Sequence, residues 1–368
     1  METMKSTRAR ALAWRYARQY LADGAGSAVE AVRRVVAVPT WPADPELAVG
    51  RRLAGPRPGV VEAGLAEGTL VRTWSFRGAV HLMATDTAPT YLVLRCAARQ
   101  WELPSWRRHY GLEPGDWPAL RGAVRAALAG GPRTPAALAT HLARKAQFRQ
   151  VAPFIDRRDA TFLKPFAWQG DLVLGRGPGG QLLLCAPPSS WGEWPALEDA
   201  GRDAVRAYLD AYGPATAGHL QRWLGEGLGA GRRRIQRWID ELSTELTEVD
   251  IEGAAYLHLG RQVDALADTA AGEAGTLALL PAYDPWTSGP GTADPWLIAP
   301  ERRPVATAGA HLVVRGGRAC GTWKTSPGRL AVRWFPEAGE PPRGDLAREA
   351  TRLATMLRTE LAVEVAAC

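Results

Sequence analysis

One local scheme occurs twice in this chain, and it limits the folds available. Arg121–Leu142 reads RGAVRAALAGGPRTPAALATHL and Arg202–Leu224 reads RDAVRAYLDAYGPATAGHLQRWL. In each, an apolar helix runs into a Gly-Pro break, and a threonine (Thr134 or Thr216) opens a second helix. The break stops the first helix because proline lacks the amide that would continue the ladder. The threonine hydroxyl can then accept from the exposed first-turn amides of the next helix. Two helices around so tight a turn form the opening half of a helix-turn-helix.

Each pair is followed by a further helix and short β-prone runs. In Gly170–Cys185 two apolar stretches flank Gly-Arg-Gly-Pro-Gly-Gly, which predicts a hairpin wing. The second unit continues through the helix Gly231–Leu242 into shorter strands around Thr247–Ile251 and Ala255–Leu259. The N-terminal segment fits a third unit. Helices over Ala11–Ala22 and Ser27–Val36 precede strands Leu70–Trp74 and Ala79–Met83, and the proline-rich stretch Pro39–Pro58 reads as an irregular loop. From about Gly260 the pattern changes. A strand is expected over Ala274–Pro281, then a meander over His311–Arg315, Ala319–Lys324 and Arg329–Phe335, then a closing helix over Asp345–Val363. The expected fold class is α+β: tandem winged-helix (helix-turn-helix) units followed by a C-terminal α+β domain, divided as 1–115, 116–190, 191–259 and 260–368.

The formal charge of +7 favours a polyanionic partner. Charge alone does not decide it, because arginine almost wholly replaces lysine (Lys5, Lys145, Lys164 and Lys324 are the exceptions) in a chain rich in Ala and Gly, as GC-rich coding would produce. Clustering is more telling. Arg232, Arg233, Arg234 and Arg237 lie within one helix whose other side carries Ile235, Trp238, Ile239 and Leu242. Such a face suits phosphate contacts, against the plainer reading of a solvated surface. A second basic stretch, Arg144–Arg158 with Lys164, interleaves Phe148, Phe154 and Phe162, which read as core rather than as stacking platforms. No apolar run reaches the length of a membrane span, and the N-terminus reads as an amphipathic helix rather than a signal peptide. The four cysteines lie too far apart for a zinc motif or a disulfide framework, so a cytoplasmic protein without membrane association is expected.

Five further stretches occur in a fixed order: RTWSFRGAVHLM (Arg72–Met83), YGPATAGHLQRWLG (Tyr212–Gly225), LLPAYDP (Leu279–Pro285), APERR (Ala299–Arg303) and GTW (Gly321–Trp323). On these the chain resembles the bacterial winged-helix DNA-binding proteins that include alkylpurine and crosslink-unhooking DNA glycosylases, some of them self-resistance factors of genotoxin producers. The resemblance runs from about Arg72 to about Trp334. It implies a duplex DNA partner bearing an alkylated base, and chemistry that needs no metal or organic cofactor. A DNA-alkylating natural product is a further partner it brings into view. It also places Arg72, Arg77 and His81 beside the base-binding cleft, and makes Tyr283, Asp284 and Trp286 pocket candidates. Asp284 reads equally well as a turn cap.

The chain departs from that family at one site. Catalytic members carry Gln-apolar-Gln after the second N-terminal helix, where two amides hold a water in line with the sugar. Here the loop reads AVPTWPADPE (Ala37–Glu46), and no glutamine occurs between Ser27 and Leu65. An N-alkylated purine is already a cationic leaving group. The remaining need is an aligned water and stabilisation of the developing sugar cation. Thr40 is a weak water anchor, Asp44 or Glu46 a base, and Trp41 either a stacking surface or a plug. Two functions stay open on the sequence: a DNA glycosylase excising bulky N-alkylated purines for self-resistance or repair, and a non-catalytic protein that binds lesions, sequesters a genotoxin or regulates transcription.

Overall fold

Both threonine caps form in the computed structural model, which describes residues 4–271 and 277–367. Thr134 Oγ1 accepts from Ala137 N–H at 3.1 Å between helices Trp117–Ala129 and Pro135–Ala143. Thr216 Oγ1 accepts from His219 N–H at 3.2 Å after helix Leu197–Tyr212. The arginine-rich helix spans Arg232–Glu241 and buries Ile235, Trp238 and Ile239, the side its periodicity predicts. Gly201 permits this packing, because a Cβ there would stand 2.1 Å from the Trp238 indole. Phe148 and Phe162 are core residues, as their spacing predicts.

Thirteen strands are described: β1 Met4–Ser6, β2 Val38–Pro39, β3 Leu70–Trp74, β4 Val80–Ala84, β5 Val173–Arg176, β6 Leu182–Cys185, β7 Leu246–Ile251, β8 Ala254–Leu259, β9 Ala278–Leu280, β10 His311–Arg315, β11 Arg318–Ser326, β12 Arg329–Trp334 and β13 Ala362–Ala367. They form three sheets, ordered β2-β4-β3-β5-β6, β1-β7-β8 and β13-β12-β11-β10-β9. Pairing is antiparallel except for β1 with β7 and β12 with β13. With helices covering these sheets, the fold is α+β.

The structure differs from the sequence expectation in four places. The first two hairpins do not stand apart as separate wings. They join through Arg72 opposite Leu174 into one five-stranded sheet, which removes two exposed edges. The stretch expected to be irregular contains β2 and a helix, Pro45–Gly50, with proline in its first turn and Asp44 as cap. The closing helix ends earlier, at Leu357. Arg358 takes a left-handed conformation there, and the segment Ala362–Ala367, with Val363 and Val365, pairs with β12 instead. The expected strand Ala274–Pro281 is realised as β9, while its residues 274–276 lie outside the described residues.

Candidate active site and DNA-binding surface

The loop that replaces the Gln-apolar-Gln segment is built onto the first hairpin. Val38 pairs with Leu82 and Pro39 with His81. Thr40 N–H and its hydroxyl both donate to Val80 O at 3.1 Å. The Thr40 hydroxyl therefore has only its lone pairs left for a water. Trp41 is 78% exposed, so it does not plug a cleft.

Two carboxylates follow, and their surroundings separate them. Glu46 accepts from Gly59, Val60 and Val61 N–H, capping the helix Val60–Ala66, and this engagement removes it as a base. Asp44 uses one oxygen, Oδ1, to accept from Leu47 N–H at 3.0 Å. Its second oxygen makes no hydrogen bond among the described residues, so it can accept a proton from water.

The C-terminal sheet closes on this loop. Leu47 packs in one apolar cluster with Leu279, Val313 and Trp323, which sets the Asp44 end of the helix against β10 and β11. His311, at the start of β10, stacks on Trp323 with centroids 4.3 Å apart, and its Nδ1 accepts from Ala282 N–H at 3.0 Å. Burial pushes the His311 pKa below its ordinary value. Asp44 opposes the shift and Lys324 adds to it. Tyr283 is 36% exposed, and its ring lies against Gly309, where a Cβ would come within 2.6 Å of the hydroxyl. Thr40, Trp41, Asp44, Tyr283 and His311 thus sit on the segments that meet here. His311 left no signal in the sequence beyond an alternating strand; its position beside Trp323 and Ala282 follows from tertiary packing.

Four candidates from the sequence take other places. Arg72 lies on the central strand β3, buried and ion-paired to Glu62 at 2.5 Å, so it cannot line a nucleotide cleft. His81 is also buried. Its Nδ1 stands 3.1 Å from both Ala79 O and Ser75 Oγ, and burial lowers its pKa to about 4, so it is neutral near pH 7 and offers no cation to a phosphate. Asp284 caps the helix Pro285–Ser288 and forms a two-pronged ion pair with Arg52 at 2.6 and 2.8 Å, each side chain 1% exposed. The acid therefore faces a buried guanidinium rather than a sugar cation. Trp286 is wholly buried, its indole donating to Gly317 O, and does not shape a pocket.

The basic side chains divide by what they already hold. Arg77 sits at the hairpin turn with φ 52°, its side chain 43% exposed, 3.4 Å from Arg222 O and 3.9 Å from Glu226. Burial and the neighbouring Arg222 hold its pKa below the ordinary arginine value. On the arginine-rich helix, Arg232 and Arg233 are exposed and make no ion pair among the described residues. Arg234 donates to Ala230 O, and Arg237 pairs with Glu198 at 2.6 Å. Replacing Arg232 and Arg233 by Gln should flatten the dependence of log Kd on log salt by about 0.9 for each phosphate that is no longer neutralised. Arg237→Gln should change it less, because Glu198 already competes for that charge. An unchanged slope in a fluorescence-anisotropy titration would return Arg232 and Arg233 to an ordinary solvated face.

No helix among the described residues is long and apolar enough to cross a membrane. No group of three or more His, Cys, Asp or Glu that could hold a metal ion occurs among them either. A family model described as DNA glycosylase AlkZ-like matches residues 29–356. The interstrand DNA cross-link repair glycosylase of Streptomyces sahachiroi is 32% identical over 362 residues, covering 95% of this chain and 96% of that protein. The solved structure of the Streptomyces sahachiroi DNA glycosylase AlkZ superposes with a TM-score of 0.91 at 32% identity, covering 99% of this chain and all of that one. On the family match and the full-length likeness in sequence and fold, the chain belongs to the AlkZ-like DNA glycosylases.

Proposed function

We propose that this DNA glycosylase excises bulky N-alkylated purines from duplex DNA, interstrand cross-links among them, and that Asp44 does the work of the missing amides. The observation that carries this reading is the free second oxygen of Asp44, on a helix seated against the strand face that carries His311. In the step, a water oxygen bonds to C1′ as the C1′–N9 bond breaks. The bonding pair goes to the purine and neutralises its ring cation, and the water proton passes to the Asp44 carboxylate. The same negative charge steadies the oxocarbenium character of the sugar.

Around this centre, Trp41 offers an indole face for stacking on the displaced or neighbouring base, and Tyr283 forms the opposite wall. Arg77, Arg232 and Arg233 hold the backbone, with Arg234 and Arg237 at the margin of the same face. The two threonine-capped helix pairs support a reading as tandem winged-helix units, within the divisions 1–115, 116–190 and 191–259, ahead of a C-terminal domain, with the hairpins of the first two units shared in one sheet. The site of action is the cytoplasm, in repair or in self-protection against a DNA-alkylating natural product.

The test is release of free base from a duplex oligonucleotide carrying a single N7-alkylguanine, followed by chromatography in buffer containing a chelator. Release expected from this reading is metal-independent and leaves an abasic site. Tight binding to the adduct with no release, across small and bulky alkyl groups, would support lesion sequestration instead.

A further inference from the structure

Resting on that reading of Asp44, we propose that His311 Nε2–H and the free oxygen of Asp44 hold the attacking water between them, His311 donating to the water and Asp44 accepting from it. Two contacts place the imidazole for this. The ring is clamped flat on Trp323 of the GTW stretch, 4.3 Å between centroids. The Ala282 amide of the LLPAYDP stretch donates to Nδ1 at 3.0 Å. That leaves the proton of the neutral ring on Nε2, which makes no hydrogen bond among the described residues. Leu47 seats the Asp44 helix on the same sheet face that carries Trp323 and Val313, and His311 shares that face because β10 alternates.

The pair has the chemistry the lost amides would supply, one donor and one acceptor on a single water. A water between them keeps one lone pair for C1′ while the other accepts from His311. The neutral ring is the working form. Protonating Nδ1 would set two N–H groups against each other at Ala282, and burial and Lys324 disfavour it further, with Asp44 opposing them.

The experiment compares His311→Asn with His311→Gln in single-turnover release of 7-methylguanine from a duplex, alongside DNA affinity and melting temperature. Asn places an acceptor where Nδ1 receives the Ala282 amide and has no group at the Nε2 position. Gln reaches the Nε2 position with an N–H donor and gives up the Ala282 contact. The expected result is a loss of about 10-fold in rate for Asn, with affinity and melting unchanged, and recovery to within a few-fold of wild type for Gln. The reverse order, Asn active and Gln impaired, would make His311 a purely structural residue and overturn the proposal. So would equal activity of both variants while Asp44→Asn is dead, a result that leaves Asp44 in place. An active Asp44→Asn enzyme would remove the reading on which this proposal rests.

Discussion

Asp44→Asn is expected to slow excision of an N7-alkylated guanine by about 100-fold or more while leaving affinity for the lesion-bearing duplex within twofold. The magnitude is that of removing a positioned base, about 10²–10⁴-fold. Asparagine is the informative replacement because Asp44 has two tasks that it separates. Its Oδ1 caps the helix Pro45–Gly50 through Leu47 N–H, and asparagine caps a helix as well as aspartate does. The helix should therefore hold its place on the C-terminal sheet, and the melting temperature should barely move. Alanine would confuse the two effects by adding a loss of about 1 kcal/mol for the cap. Thr40→Ala should cost less in rate, since that hydroxyl already donates to Val80 O. Single-turnover rates with enzyme in excess, set beside anisotropy titrations, separate the transition-state effect from binding. A full-rate Asp44→Asn enzyme would show that the loop carries no base and that catalysis lies elsewhere.

The sequence was a good guide where the physics is local. Gly-Pro breaks and threonine caps act within a few residues, and both helix pairs formed as their residues predict. The buried stripe of the arginine-rich helix could likewise be read from its periodicity. Where long-range packing decides, the sequence was silent. Nothing near Arg72 announces that β5 will pair with β3 and bury it. The resemblance puts His81 beside a cleft, but the turn at Ser75 and Ala79 folds over it. Glu46 and Asp44 are equivalent as isolated carboxylates. They are told apart only by the amides of Gly59–Val61, which reach back from a later helix. His311 acquires a meaning from Trp323, Ala282 and Asp44, none of them its sequence neighbour.

Asp284→Asn is expected to destabilise the protein by about 3–5 kcal/mol, the largest stability loss of any single substitution considered, and to lower activity through the fold rather than the chemistry. The cause is the partner left behind. Arg52 donates from both Nη atoms to Asp284, from Nη1 also to Ala48 O, and from Nη2 to Gln19 at 3.3 Å, with its side chain 1% exposed. Removing the acid strands a guanidinium that cannot lose its proton in the interior, and breaking one side of such a pair costs about 3–5 kcal/mol. Asparagine retains an oxygen to cap Trp286 N–H, so the loss is not that of the cap. Adding Arg52→Met removes the stranded charge, and the double variant should recover most of the stability even though two native residues are gone. The pair also ties Arg52, just beyond the Asp44 helix, to Asp284, next to Tyr283. Loosening it should therefore shift both walls of the site together and reduce the rate in step with the melting temperature. Urea denaturation of the two single variants and the double variant measures the coupling directly. If Asp284→Asn unfolds at the wild-type midpoint yet loses excision, the acid faces the sugar after all, and its pairing with Arg52 is incidental.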